Sequence, residues 1–304
     1  MASKFELFSR TDLVYKTIGD TPFVASVLIP KGAIGGNRPL LVHFHGGGLM
    51  VGDRMYEDWY PRWLLQYAES EGAVVVTPDY RKIPEANGVD ILNDVEDFWS
   101  WVRDTLPAKI SEISPGMSLD LSRVAAAGES AGGYLSLESA FLFPEAGIKL
   151  VMAQYPTIDL SHPAYNPPPA QQVPPEKSVV DKFVRGLAPG AIRLSSLPPD
   201  HWELFGAIIA EGRHRELIGS DERLLLLKSL EAAQNPPATW IAQGESDFII
   251  PKVVTDNFVK EAKRIHPATP IHYSVQPGSH GFDVESTMDD PWVQEGINFA
   301  KKYW

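Results

Sequence analysis

An alternation constrains this chain more than any other feature. Short apolar runs rich in β-branched residues take turns with longer stretches whose apolar residues recur at helical spacing. Such a rhythm predicts a mostly parallel sheet with helices on both faces. Residues 39–44, 73–77, 123–127, 149–155, 238–242 and 270–275 read as strands. Residues 58–71, 93–105, 131–143, 221–233, 252–265 and 290–303 read as helices. In 93–105, for example, Val95, Phe98, Trp99 and Val102 form one stripe. The opening differs: 11–18 and 22–29 are strand-like and flank a turn with Gly19 and Asp20, which predicts an antiparallel hairpin. The fold class is therefore α/β, an eight-stranded sheet with antiparallel pairing only near its start.

The rhythm fails between 156 and 200, where ten prolines fall. Proline locks φ and removes a backbone donor, so it continues neither a central strand nor a helix interior. A long irregular segment inside a compact domain is a functional lid or is disordered. This one follows strand 149–155 and so leaves the sheet at a carboxyl end. We therefore read residues 156–220 as a lid inserted in a single domain spanning 1–304. Trp202, Leu204, Phe205, Ile208 and Ile209 make part of it too apolar to stand exposed without a partner.

Charge and composition exclude several roles. A net charge of -12 argues against nucleic acid and anionic membrane, whose phosphates would be repelled. With no cysteine, disulfides and thiolate metal sites are excluded, and a reducing compartment suits the chain. No apolar run is long enough to span a bilayer, and the first residues carry no secretory pattern. The expectation is a cytoplasmic protein with no membrane span. No histidine–carboxylate spacing suggests a metal, and no cofactor motif is completed.

Two motifs carry chemistry. Gly128-Glu129-Ser130-Ala131-Gly132 lies after one predicted strand and before a helix. A serine on so sharp a turn is exposed in a strained conformation, at a helix N-terminus whose potential favours a developing anion. His45-Gly46-Gly47-Gly48 follows strand 39–44. Its glycines let backbone N–H groups approach a small anion with no Cβ intruding. His45 reads as structural, its ring bonding to loop backbone. The pair Asp79 and Arg81 reads as a loop brace, Trp59, Trp63, Trp99 and Trp101 as packing on helices, and Leu224–Leu227 as a buried helix.

On four segments the chain resembles the hormone-sensitive-lipase-like esterases of the α/β-hydrolase fold. These are HGGG at 45–48 with Gly52 beyond it, DYRKIPE at 79–85, GESAGG at 128–133, and the pair GESD (244–247) and HGF (280–282). The likeness covers about 39 to 304 and is weakest across 156–220. It departs in carrying Glu129 where many members have aspartate, which preserves the charge. The resemblance implies Ser130 as nucleophile and the N–H groups of Gly47, Gly48 and Ala131 as an oxyanion hole. It also implies His280 as base and Asp247 as its orienter. The expected chain order, serine then acid then histidine, agrees. Glu245 stays open as a rival to Asp247. His266 and His272 are rivals to His280, but one ends a helix and the other lies inside a strand. Leu49, Trp202, Phe205, Phe248 and Phe282 are candidate pocket residues. The implied reaction is hydrolysis of a small to medium carboxylic ester. Acyl transfer, lactone chemistry or elimination on a natural product, and a non-catalytic ligand-binding homologue, are the alternatives. Dimers are common in that group, so a homodimer is the implied assembly.

Overall fold

The computed structural model describes residues 3–160, 162–163 and 176–304. A hairpin of β1 (Phe8–Ile18) and β2 (Thr21–Pro30) leads into β3 (Gly36–Phe44), helix α1 (Arg62–Ser70) and β4 (Val74–Pro78). Helices α2 (Gly88–Asp104) and α3 (Leu106–Ile113) precede β5 (Met117–Glu129), α4 (Ala131–Leu142) and β6 (Ile148–Gln154). The insertion carries α5 (Val179–Gly186), α6 (Trp202–Ala210) and α7 (His214–Ile218). Then come α8 (Leu226–Ala232), β7 (Ala238–Gly244), α9 (Lys252–Ile265), β8 (Ile271–Gln276) and α10 (Pro291–Ala300).

The eight strands form one sheet in the order β1-β2-β4-β3-β5-β6-β7-β8. Only β1–β2 and β2–β4 pair antiparallel. This is the α/β-hydrolase fold expected from the sequence. Strand side chains alternate faces, and here the alternation feeds two cores. Leu40, Val42, Val74, Val76, Ala126, Val151 and Ile241 join the core under α2, α4 and α9. Leu41, Val75, Ala125, Leu150, Met152 and Trp240 join the opposite core with Trp63, Tyr67 and Val293 from α1 and α10. Both faces are covered, which is why the central strands read as continuous apolar runs.

Several element boundaries differ from the sequence reading, each for a local reason. Helix α2 begins at Gly88 rather than 93, because Asn87 and Asp90 close a capping box at 3.0 and 3.1 Å. The predicted helix 221–233 is broken. Asp221 caps a 3₁₀ turn at Glu222–Leu224, Leu225 is extended, and α8 starts after it. Leu224–Leu227 is thus not one buried helix, and Leu227 is 38% exposed. Within the stretch expected to be irregular, Ser178 caps α5 by accepting the Asp181 N–H, and Val180 anchors that helix. Of the prolines that marked this stretch, Pro167, Pro168, Pro169, Pro174 and Pro175 lie outside the described residues. Among the described residues no helix is long and apolar enough to cross a membrane.

Candidate active site

Ser130 lies at the junction of β5 and α4 with φ 55° and ψ -118°. A non-glycine residue at positive φ is strained and persists only when its surroundings over-determine it. Here the Ser130 N–H donates to Gln154 O at 2.9 Å, and Ser130 O accepts from the N–H groups of Tyr134 and Thr157 at 3.1 and 3.0 Å. The turn needs Gly132, since a Cβ there would fall 1.9 Å from Phe44 O.

The glycine loop lies against this turn. A Cβ on Gly46 would sit 3.3 Å from Ser130 Cβ. Glu129 fixes the approach: its buried carboxylate accepts the Gly46 N–H at 2.7 Å and bonds His43 Nε2 at 2.8 Å. The residue before the serine thus ties the loop to the sheet. Gly47 and Gly48 both have positive φ, 101° and 64°. Beneath the loop, the buried His45 ring bonds through Nδ1 to Gly46 O at 2.6 Å and through Nε2 to Lys82 Nζ at 2.8 Å. Burial and the adjacent Lys82 hold His45 well below the usual imidazole range, so the ring is neutral. Burial likewise pulls the fully buried Lys82 down to about 7.

Asp247 and His280 lie just past β7 and β8. His280 Nδ1 is 2.9 Å from Asp247 Oδ2. Asp247 Oδ1 accepts the N–H groups of Ile249 and Ile250, each at 2.9 Å, and Gln243 Nε2 reaches Oδ2 at 3.2 Å. A carboxylate so supplied with donors is an acceptor on all sides, which puts the His280 proton on Nδ1 and leaves Nε2 as a free base. Glu245, by contrast, is exposed. His266 bonds Leu230 O, and His272 stacks on Phe299, both away from this loop. Ser130 Oγ and the His280 ring form no hydrogen bond among the described residues. Such contacts are often long without substrate and tighten once it binds. Tyr155 links the two. It follows Gln154, the residue that accepts the Ser130 N–H, and its ring lies 4.6 Å from that of His280.

Tyr155 and Asp283 were not singled out by the sequence, and Trp63 was read only as helix packing. Tyr155 Oη donates to Asp283 Oδ1 at 2.8 Å and Trp63 Nε1 to Oδ2 at 3.0 Å. Burial pushes the Asp283 carboxyl up to about 6. Asp283 directly follows the HGF motif, the one local signal that could have marked it.

The insertion reaches this face. Ser196 and Gly52 exchange backbone hydrogen bonds at 2.8 and 3.0 Å. Arg193 binds Glu85 at 2.6 and 2.7 Å and the carbonyl of Ile83 at 2.6 Å. A Cβ on Gly48 would lie 2.8 Å from the Phe205 ring, and Trp202 packs edge-on to Phe205 and 6.1 Å from Trp59. Trp59 is on a turn, not a helix; it packs against the core and also lies over Gly47. Of the other pocket candidates, Leu49 is buried and Phe282 packs between Tyr155 and Trp292. Phe248 stands 80% exposed. Asp79 and Arg81 do not pair with each other. Asp79 takes Arg54, and Arg81 takes Asp94 and Asp90. Among the described residues no group of three histidine or acidic side chains could hold a metal.

The comparisons agree with this architecture. A family model described as the alpha/beta hydrolase fold matches residues 41–197. A probable carboxylesterase (M8) of Phoma sp. is 35% identical, over 99% of this chain and 98% of that protein. A probable carboxylesterase (clz11) of Cochliobolus lunatus is 32% identical, over 62% of this chain and 92% of that protein. Esterase 2 of Thermogutta terrifontis, in a structure phosphonylated by sarin, superposes with a TM-score of 0.64. It covers 98% of this chain and 94% of that one at 19% identity, a likeness of fold. The chain belongs to the α/β-hydrolase-fold family, as a carboxylesterase-type member of its hormone-sensitive-lipase-like group.

Proposed function

We propose that this chain hydrolyses small to medium carboxylic esters in the cytoplasm through a Ser130–His280–Asp247 acyl-enzyme mechanism. The observation that carries the reading is the Asp247–His280 hydrogen bond of 2.9 Å, formed at the same end of the sheet as the strained Ser130 turn. Ser130 Oγ attacks the ester carbonyl as His280 Nε2 takes its proton, and Asp247 stabilises the imidazolium. The N–H groups of Gly47, Gly48 and Ala131 receive the oxyanion. On collapse the C–O bond breaks and His280 protonates the departing alcohol. His280 then removes a proton from water, which attacks the acyl-enzyme, and the carboxylic acid leaves with Ser130 restored. The segment 156–220 acts as the lid. Contact of Phe205 with Gly48 and of Trp202 with Trp59 supports its role in selecting the ester.

The test combines labelling with substitution. An organophosphonate should modify Ser130 alone, and Ser130→Ala should lower ester turnover by about 10⁴–10⁶ while leaving the fold intact. An adduct mapped to another residue would refute the assignment, and so would turnover above about a tenth of wild type. Product analysis should find free acid and alcohol in water; an acyl group passed to another alcohol would identify a transferase instead.

A further inference from the structure

Lys82 is fully buried in the loop after β4. Its Nζ lies 2.8 Å from His45 Nε2, 3.4 Å from Tyr80 O and 3.8 Å from the centre of the Tyr80 ring. No carboxylate forms an ion pair with it among the described residues, so its principal polar partner is a neutral imidazole. We propose that Lys82 is a positioning residue of the oxyanion hole, acting through the His45 ring. The inference rests on the esterase reading above for its consequence, though not for its geometry.

The chain of donors runs one way. Gly46 O can only accept, so at 2.6 Å His45 Nδ1 must carry the proton. A neutral ring then has a lone pair on Nε2, and an amine at 2.8 Å supplies the donor that this tautomer needs. Lys82 has no competing role as acceptor from His45, because Nε2 has no proton to give. The consequence lies at the next peptide. The Gly46–Gly47 bond is trans, so its C=O and N–H point in opposite directions. Pinning Gly46 O therefore fixes the direction of the Gly47 N–H, one of the donors proposed above for the oxyanion. Tyr80 adds to the clamp by stacking on the His45 ring at 4.6 Å and donating to His45 O at 2.7 Å. The backbone of Lys82 is held in turn by the insertion, since its N–H donates to Arg193 O at 3.0 Å.

Two measurements test the assignment. Long-range ¹H–¹⁵N correlation spectra of the wild-type protein report which nitrogen of His45 is protonated. Nδ1–H is expected, and a protonated Nε2 would overturn the proposal whatever the chain acts on. The second measurement is kinetic. Lys82→Met keeps the apolar stem and removes the donor. It should lower kcat about tenfold to a hundredfold, less than the 10²–10³ lost when an oxyanion donor is removed outright, with KM changed by less than about threefold. A trifluoromethyl ketone, whose serine adduct carries the oxyanion, should lose affinity by the same factor. A non-hydrolysable ether of the same shape should not. Lys82→Gln retains an N–H donor and should recover most of the rate. A folded Lys82→Met protein with wild-type turnover would remove Lys82 from the oxyanion hole, as would equal losses for ketone and ether. If Lys82→Met does not fold, Lys82→Gln decides: a folded variant that keeps the Nδ1–H tautomer yet loses the rate refutes the proposal. Failure of the esterase reading would show separately, as absence of any ester turnover with the tautomer unchanged.

Discussion

Glu138 offers a test of how the nucleophile's own helix is stabilised. It lies two turns into α4, fully buried. The nearest hydroxyls, on Tyr134 and Ser229, donate to the carbonyls of Leu224 and Arg223 at 3.2 and 3.4 Å. Both hydroxyls lie close enough to the carboxyl to oppose its rise, but neither makes a well-formed hydrogen bond to it. Burial is the dominant effect and pushes the carboxyl from 4.5 up to about 8. At neutral pH the native protein therefore keeps Glu138 protonated while the unfolded chain ionises it. The sign follows from that difference. Below about 4.5 both states are protonated and Glu138 has no effect on the pH dependence. As pH rises from there toward about 8, stability falls by roughly 1.4 kcal/mol per pH unit, reaching about 5 kcal/mol in all. Glu138→Gln keeps the shape and cannot ionise. Relative to wild type it should gain about 3 kcal/mol between pH 4.5 and pH 7, and about 5 kcal/mol by pH 9. Urea unfolding followed by tryptophan fluorescence at five pH values measures the difference, and the half-life of activity at pH 9 should lengthen with it. A difference that stays flat across this range, or one that favours wild type at high pH, would refute the reasoning.

The remaining predictions concern the site. Asp247→Asn should leave the His280 ring in the wrong tautomer and lower kcat about 10⁴-fold, with Glu245→Gln near wild type; the reverse order in steady-state assays would transfer the orienting role to Glu245. Gly48→Ala combines a φ of 64° with a Cβ 2.8 Å from the Phe205 ring, so it should displace α6 or the loop. Activity should drop about 10²-fold, and Phe205→Ala should restore part of it; no rescue in the double variant would mean that the two do not meet. Trp202→Ala should shift kcat/KM among esters of different acyl length by about 1–3 kcal/mol and spare acetyl esters, whereas a uniform change across the series would make the segment scaffold rather than selector.

Features written in contiguous residues were legible without the fold. The continuous apolar runs that became β3 to β7 bury one face in each core, and that is a local property of a strand between two helical layers. The serine turn and the glycine loop were legible for a related reason. Positive φ and close backbone approach restrict which residues can stand at a position, so the requirement shows as glycine spacing. Helix ends were less legible, because Asn87 and Ser178 act by hydrogen bonds whose formation depends on where the chain goes next. Partnerships across distant segments were not legible at all. Nothing near Lys82 announces that it will meet His45, and nothing near Tyr155 announces His280 or Asp283. Trp59 read as part of a helix and instead packs from a turn, over Gly47, and Asp79 and Arg81 took Arg54 and Asp94 rather than each other. These contacts exist because β3, β4, β5, β6, β7 and β8 lie side by side and bring loops from remote parts of the sequence to one end of the sheet. Sequence set the chemistry available at each strand end through residue type and backbone demand. Only the order in which the strands assembled decided which of those groups lie within hydrogen-bonding distance, since that distance is a property of the sheet and not of the chain.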